Sequence, residues 1–275
     1  MDSTPMQLPL EDNFSDIIGK VMRGCGLDDS SVAAQAGLTA AQVQQLRDGE
    51  WNAEAARKVA PALKLGADAL MGMGEKTYRP APVEIANFAQ FNTPYEDMTV
   101  NSYLAWDDRT REAVAFDTGA DCTDMLALLR DKHLTLSAIL LTHTHGDHIF
   151  DLDRLKEKTG APAFVGDREP TEGAQTFTAG KEFTVGRLHI ATRLTWGHSK
   201  GGITYVVSGL SRPVAIVGDA VFAGSMGGGG VSFADALATN KAEIFTLSDE
   251  TVICPGHGPM TTVGEERRNN PFFAA

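Results

Sequence analysis

A short apolar run that leads directly into a cluster of histidines most limits how this chain can fold. Residues 138–141 are long enough for one buried strand. The chain then continues through Thr142 into His143-x-His145-x-Asp147-His148. Such a cluster has a low chance of arising at random, and the loops at strand ends commonly present ligands. Because imidazole nitrogen and carboxylate oxygen suit zinc, iron or manganese, the sequence predicts a metal site at the end of this strand.

Three later segments place further candidate ligands in the same kind of setting. His198 lies in a glycine-flanked turn between two β-rich runs, and Asp219 follows the apolar residues 214–217. His257 lies in a Pro-Gly-His-Gly-Pro turn directly after another apolar run. We therefore expect all three to join the first cluster. His133 and His189 lack such a setting, and for them a surface or structural role is the expectation.

Together these segments resemble the metallo-β-lactamase superfamily over about residues 83–273. The order of the motifs carries the resemblance, as do Gly197-His-Ser-Lys-Gly-Gly, Gly218-Asp-Ala-Val-Phe-Ala-Gly-Ser and the Pro-Gly-His-Gly-Pro turn. The resemblance implies an α/β fold, an αββα sandwich with metals at one edge of two facing sheets. Within the superfamily the sequence is most similar to the short bacterial form of glyoxalase II-like hydrolases. By that similarity metal 1 is bound by His143, His145 and His198, metal 2 by Asp147, His148 and His257, and Asp219 bridges the two.

The same resemblance implies a reaction. A hydroxide shared by two divalent ions attacks the carbonyl of a thioester of the hydroxyacylglutathione type, so Asp147 and Asp219 count as catalytic as well as metal-binding. The implied metal is zinc, with iron or manganese as alternatives. A lactonase stays open, as does a persulfide dioxygenase with one iron held by His143, His198 and Asp219. A further alternative is a DNA-binding regulator whose hydrolase-like domain senses a metabolite or a metal. Antibiotic hydrolysis is disfavoured, because true β-lactamases of the fold usually lack an aspartate at position 219.

Substrate contacts are less defined by the sequence. Lys200 is a candidate for binding an anionic substrate, although a solvated loop lysine is the favoured alternative because ordering a long side chain costs entropy. The helical C-terminal extension that serves glutathione in long glyoxalase II enzymes has no counterpart here, since the chain ends soon after His257. The four glycines at 227–230 are expected to form a flexible loop beside the pocket, and Cys254 to be a buried strand residue.

The first 75 residues have a different character and predict an all-helical domain, joined by a linker at 76–82 to the hydrolase domain at 83–275. Residues 32–49 resemble the helix-turn-helix of Cro-like repressors, with Gly37 in the turn. Residues 1–75 hold 6 basic and 11 acidic side chains, a net of −5, and this acidity disfavours DNA binding. The alternative is a helical cap that packs on the hydrolase or mediates homo-oligomerisation. The candidate DNA contacts are Gln42, Gln44, Gln45 and Arg47.

Composition sets the remaining limits. The 275 residues carry a net charge of −12, which disfavours polyanionic partners and favours a small-molecule substrate. No run of about 18 apolar residues is present, so no membrane association is expected. The three cysteines are far apart and the first residues lack the features of a secretory signal. These observations predict a cytoplasmic protein.

Overall fold

A computed structural model describes residues 8–274. The first seven residues, on which the absence of a secretory signal was argued, and Ala275 lie outside the described part. The described chain begins with five helices, as the sequence predicts. These are α1 (Phe14–Cys25), α2 (Asp29–Ala36), α3 (Ala40–Arg47), α4 (Ala53–Ala62) and α5 (Ala67–Gly74).

Local side-chain chemistry explains where these helices begin and end. The Asn13 side chain accepts hydrogen bonds from the first turn of α1, while the Asp16 carboxylate accepts one from the Asn13 backbone N–H. The left-handed conformation of Gly37 ends α2, and Thr39 then caps α3. Two helices joined by a turn at Gly37 therefore lie where the sequence places them, while their assignment as a DNA-binding helix-turn-helix stays a prediction.

The rest of the chain forms two six-stranded sheets. The first sheet has the order β1-β2-β3-β4-β5-β6 and is antiparallel from β1 to β3 and parallel from β3 to β6. Its elements, with the helices between them, are β1 (Phe88–Tyr95), β2 (Met98–Trp106), β3 (Glu112–Phe116), α6 (Thr123–Asp131), β4 (Thr135–Leu140), α7 (Gly146–Ile149), α8 (Leu152–Thr159), β5 (Ala163–Gly166) and β6 (Ala174–Phe177).

The second sheet has the order β12-β11-β10-β9-β8-β7, with only β10 and β11 parallel among its pairs. Its elements are β7 (Glu182–Val185), β8 (Leu188–Leu194), β9 (Ile203–Ser208), β10 (Val214–Gly218), α9 (Phe233–Glu243), β11 (Val252–Pro255), β12 (Thr261–Thr262) and α10 (Val263–Asn269).

Both sheets carry apolar side chains on both faces, so the two sheets pack on each other and each is covered on its outer face. The result is a structure of four layers. Residues of both sheets, such as Phe116 and Tyr205, form the core between the sheets. The outer face of the first sheet packs on α6 and α8, for example through Met125. The outer face of the second sheet packs on the ends of α9 and α10, through Ile244 and Val263. The predicted αββα sandwich is thereby confirmed.

The helical segment at residues 14–74 is not a separate body. Its core of α1–α5 side chains continues without a break into Met226, Phe233 and Phe272 of the sandwich. The packing is tight, because a Cβ on Gly24 of α1 would lie 2.3 Å from the Phe233 ring. The domain boundaries at 75 and 83 stay predictions, since the two parts share one core.

Several elements differ from the sequence predictions. We predict the first strand at 83–91, but β1 runs from Phe88 to Tyr95 and includes Pro94, which an edge strand tolerates. Within residues 83–87, the partly buried side chains of Val83 and Ile85 pack against the core without pairing as a strand. No clear pattern in the sequence predicts β6, β7, β12, α7 and α10, which are short and partly exposed. The sequence predicts a helix at 233–238, but α9 continues to Glu243. Among the described residues no helix is long and apolar enough to cross a membrane.

Candidate metal centre

The seven predicted ligands all lie at one edge of the sandwich. The chain reaches this edge at the carboxyl ends of β4, β10 and β11 and in the turn between β8 and β9. Neighbouring parallel strands end at the same edge, so residues far apart in sequence converge there. Six of the seven side chains are at least half-buried, and the seventh, His145, is exposed at the mouth of the site.

Four of these residues form a first group, made of His143, His145, His198 and Asp219. One ligand atom from each lies within 4.8 Å of the others. His145 Nδ1 lies 3.0 Å from His143 Nε2 and 3.1 Å from His198 Nε2. His198 Nε2 in turn lies 3.3 Å from Asp219 Oδ2. This spacing of nitrogen and carboxylate oxygen is able to hold a metal ion.

The other three residues, Asp147, His148 and His257, form a second group of the same kind. Asp147 Oδ2 lies 3.3 Å from His257 Nε2 and 3.5 Å from His148 Nε2. All three side chains are buried. The short helix α7 brings Asp147 and His148 to the second group one turn after His143 and His145 enter the first.

Asp219 lies between the two groups. Its Oδ2 is 3.3 Å from His198 Nε2 in the first group and 3.5 Å from His257 Nε2 in the second. Its Oδ1 is 3.2 Å from His148 Nε2, yet neither of these two buried atoms makes a hydrogen bond with a described residue. Buried polar atoms left without partners are costly, and a cation would satisfy both. The donor set therefore fits a metal centre.

Glycines at two positions allow the backbone to approach Asp219 closely. A Cβ on Gly256 would lie 2.1 Å from Asp219 Oδ1, and a Cβ on Gly227 would lie 1.9 Å from the Asp219 carbonyl oxygen. Gly229 is also enclosed, against Phe233, whereas a Cβ on Gly228 would meet nothing within 4 Å. Packing therefore requires glycine at positions 227 and 229, while the flexibility of the loop stays a prediction.

A further layer of hydrogen bonds orients the histidines. Asp117, which follows β3, places Oδ2 2.8 Å from His148 Nδ1 and accepts a hydrogen bond from the Thr142 backbone. The Thr99 carbonyl lies 2.7 Å from His257 Nδ1, and the Gly228 carbonyl 2.9 Å from His198 Nδ1. Such partners fix the ring orientation and leave Nε2 for a metal. Sequence reasoning missed Asp117, although an aspartate directly after a buried strand was a usable signal.

Charge and burial shift the pKa values of the histidines in opposite directions in the two groups. Burial opposes protonation of His148, but Asp219 and Asp117 outweigh it and raise its pKa to about 10. Burial is likewise outweighed at His257, where Asp219 and Asp147 raise the pKa to about 11. Burial lowers the pKa of His143 and of His198. The second group therefore holds protons that a metal must displace, whereas those two histidines of the first group are neutral.

The Asp219 carboxylate stays charged despite its burial. Desolvation would raise its pKa, but the neighbouring His148 and His257 hold the pKa well below the ordinary value for aspartate. A buried anion between two groups of histidines attracts cations more strongly than an exposed one, because solvent screens it less.

The remaining predicted residues lie in different places. Lys200 is exposed and lines a cleft of about 340 Å³ together with His145 and His198, so it is near the centre without touching a ligand. Cys254 is buried between the sheets, as predicted. His133 and His189 are exposed and belong to neither group.

The candidate DNA contacts lie on α3, away from this edge. The Arg47 guanidinium donates two hydrogen bonds of 2.7 Å to the Asp29 carboxylate. The Gln42 side chain accepts from the Thr39 backbone in the cap of α3, and Gln44 and Gln45 are exposed. Two of the four side chains are thus already engaged within the helical segment.

Comparison with known proteins agrees with this geometry. The model of the metallo-beta-lactamase superfamily matches residues 95–257, more than half of the chain. The chain therefore belongs to the metallo-beta-lactamase superfamily. The match includes all seven ligand candidates and leaves out the helical segment.

Two individual relatives match this chain over most of their own length. A probable metallo-hydrolase of Bacillus subtilis (strain 168), YqgX, is 30% identical over 66% of this chain and 95% of its own length. The hydroxyacylglutathione hydrolase GloC of Haemophilus influenzae is 28% identical over 63% of this chain and 92% of its own.

Solved structures share the sandwich. The B3 metallo-beta-lactamase BLEG-1 superposes with a TM-score of 0.61 and 29% identity over 68% of this chain and all of its own. ETHE1 from Myxococcus xanthus superposes with a TM-score of 0.60 and 27% identity over 68% of this chain and 84% of its own.

Proposed function

We propose that this protein is a hydrolase with two divalent metal ions that cleaves a thioester of the hydroxyacylglutathione type. The observation that carries the proposal is the position of Asp219, whose Oδ2 lies within 3.5 Å of a histidine from each ligand group. A carboxylate so placed is suited to bridge two ions. Zinc fits the nitrogen-rich donor set, and iron and manganese are the alternatives.

Two ions at these groups, when bound, would lower the pKa of a coordinated water and polarise the substrate carbonyl. The chain itself supplies orientation and access. Asp117 holds the His148 ring, and the Thr99 and Gly228 carbonyls hold His257 and His198. The exposed His145 leaves the first group open to a substrate. A thiolate leaving group departs without a strong general acid, so none is required of the neighbouring side chains.

The similarity to GloC supports a thioester substrate, because that relative is described as a hydroxyacylglutathione hydrolase and matches over nearly its whole length. The similarity to a B3 metallo-beta-lactamase makes β-lactam hydrolysis a necessary comparison.

The test combines metal analysis with turnover. We expect about two metal ions per chain and hydrolysis of S-lactoylglutathione that is lost on chelation. Asp219→Asn should lose most bound metal and lower kcat/KM by at least about 100-fold, because both groups lose a ligand. Asp124→Asn, at an exposed position on α6, is the matched control and should behave as wild type. Normal turnover by Asp219→Asn would refute the proposal.

The other chemistries have distinct outcomes in the same assay. Preferred cleavage of a small lactone would identify a lactonase, and cleavage of nitrocefin a β-lactamase. One iron per chain with oxygen consumption on a persulfide would identify a dioxygenase. The complete and buried second group of Asp147, His148 and His257 favours two ions over one.

DNA binding by the helical segment is the second candidate, supported by the order of α2, Gly37 and α3. Its charge and the Arg47–Asp29 ion pair oppose it. A mobility-shift assay with mixed duplexes at physiological salt tests it, and we expect no retention. The contacts with the sandwich support the alternative role, a helical cap. Homo-oligomerisation through the segment stays a separate proposal, which sedimentation would test.

A further inference from the structure

A cleft of about 570 Å³ opens beside the exposed side of the first ligand group. His145 and His198 line its inner end. The glycine loop and Val231 form one wall, and the other wall comes from α1 of the N-terminal helical segment, through Lys20, Arg23 and Gly24. A segment outside the matched family region therefore forms part of the path to the metal centre.

The helical wall is held firmly in place. The Lys20 ammonium donates a hydrogen bond to the Met226 carbonyl and pairs with Asp12, and Asp12 also accepts a hydrogen bond from Ser225. Gly24 packs against Phe233 with no room for a side chain. These contacts tie α1 to the loop that continues into the glycines, so the two walls are positioned relative to each other.

The charge in the cleft is opposite to that of the whole protein. None of the residues that line it is acidic, although the chain carries a net charge of −12. The charge of Lys20 is largely compensated by Asp12. Arg23 is exposed, and its guanidinium forms no ion pair or hydrogen bond within residues 8–274. The cleft therefore offers one uncompensated guanidinium next to the metal ligands.

We infer that this cleft binds the substrate and that Arg23 recognises an anionic group, such as a carboxylate, on the thiol portion of a thioester. This inference rests on the proposed hydrolase function. A guanidinium presents a planar pair of donors that matches a carboxylate, and no carboxylate among residues 8–274 is paired with Arg23. The substrate would lie between α1 and the glycine loop with its carbonyl toward His145 and His198. The N-terminal helices thereby set the substrate class to anionic thioesters.

Equilibrium binding of glutathione tests the inference without turnover. Glutathione is the anionic thiol product of the proposed reaction, and calorimetry on the full-length, metal-loaded protein measures its Kd. Arg23→Gln should weaken binding about 10- to 100-fold, because it removes a charge-assisted hydrogen bond. Arg57→Gln is the matched control. Arg57 is also an exposed arginine of the helical segment, but it pairs with Asp68 away from the cleft, so its variant should bind as wild type.

A steric variant tests the cleft separately. A Cβ on Gly228 meets no atom within 4 Å, so Gly228→Leu should fold and fill the cleft, and glutathione binding should weaken. Equal binding by wild type and Arg23→Gln would overturn the role of Arg23, and unchanged binding by Gly228→Leu would overturn the assignment of the cleft. Failure of wild type to bind glutathione would overturn both.

Turnover distinguishes this inference from the proposed function. Arg23→Gln should raise KM for S-lactoylglutathione with little change in kcat, and leave kcat/KM for the uncharged thioester S-acetyl-N-acetylcysteamine within about two-fold of wild type. Equal losses on both thioesters would overturn the role of Arg23 while the hydrolase proposal stands. No hydrolysis of either thioester by the fully metallated protein would refute the hydrolase proposal, whereas the glutathione measurement would still decide the anion site.

Discussion

At the scale of single residues, the histidines of the candidate metal centre differ in their protonation. His148 and His257 carry protons under most conditions because buried carboxylates surround them, whereas His143 and His198 are neutral because burial disfavours their charged form. Both kinds came from one sequence motif and its two partner turns. Residue type and spacing identify ligands, but the protonation of each depends on neighbours brought in from other strands.

This division predicts a stepwise dependence of metal binding on pH. A metal entering the second group must displace protons from His148 and His257 at any pH below about 10, so its affinity should rise by up to about 100-fold per pH unit. The first group needs no such release from His143 or His198 above their lowered pKa values. At fixed free zinc, we therefore expect one ion per chain near pH 6 and two near pH 8, measured by metal analysis after dialysis. Loss of both ions over the same pH range would contradict this.

The supporting residues of the site show where sequence reasoning stops. Every proposed ligand follows a recognisable apolar run or lies in a glycine turn, so the ligand set was predictable. The Thr99 and Gly228 carbonyls carry no signal in the sequence, because every residue has one. Arg23 was equally hidden, since its place beside His198 depends on packing between residues about 200 positions apart.

At the scale of elements, the buried strands are easier to predict from the sequence than the exposed ones. The strands β3, β4, β9, β10 and β11 are mostly buried and rich in apolar residues, and the sequence predicts them within a few residues. The strands β6 and β7 have only one buried side chain each, so their sequences carry little periodicity. The edge strand β1 begins later than predicted, because pairing with β2 decided its position.

The helix α10 contributes a buried carboxylate that connects several elements, and we call it the anchor. Its Glu266 carboxylate accepts hydrogen bonds from Tyr78 in the linker, from the Gly224 backbone and from Asn270. Burial raises the pKa of Glu266, although these donors partly offset it. The predicted linker at 76–82 is therefore attached to the sandwich through a buried polar contact.

Removing one donor from this anchor should cost stability. Tyr78→Phe leaves the Glu266 carboxylate short of a hydrogen bond and should lower the free energy of unfolding by about 1.5–3 kcal/mol. Urea denaturation measures the change. Tyr95→Phe is the control, because the Tyr95 hydroxyl makes no hydrogen bond to another residue in the described range 8–274. Equal stability of the two variants would show that the anchor contributes nothing.

At the scale of the whole molecule, the continuous core predicts that the helical segment and the sandwich unfold together. Trp51 reports on the helices, where it packs 4.8 Å from Phe14, and Trp106 and Trp196 report on the sandwich. Trp106→Phe/Trp196→Phe reports through Trp51, and Trp51→Phe reports through the other two. In each variant the urea transition followed by fluorescence should coincide with the one followed by circular dichroism. Phe233→Ala should lower the free energy of unfolding by about 3–5 kcal/mol, so the helical and sandwich transitions should both move to lower urea concentration. Two separate transitions would instead indicate independent domains.

The wall that α1 contributes has a consequence for how relatives of this chain are compared. The residues that align across the superfamily, 95–257, hold the reactive centre, whereas part of the cleft wall precedes them. Two proteins with the same seven ligands would then differ in substrate specificity if the segments that precede the aligned region differ. Exchanging or losing that preceding chain offers evolution a route to new substrates in which the reaction chemistry stays fixed.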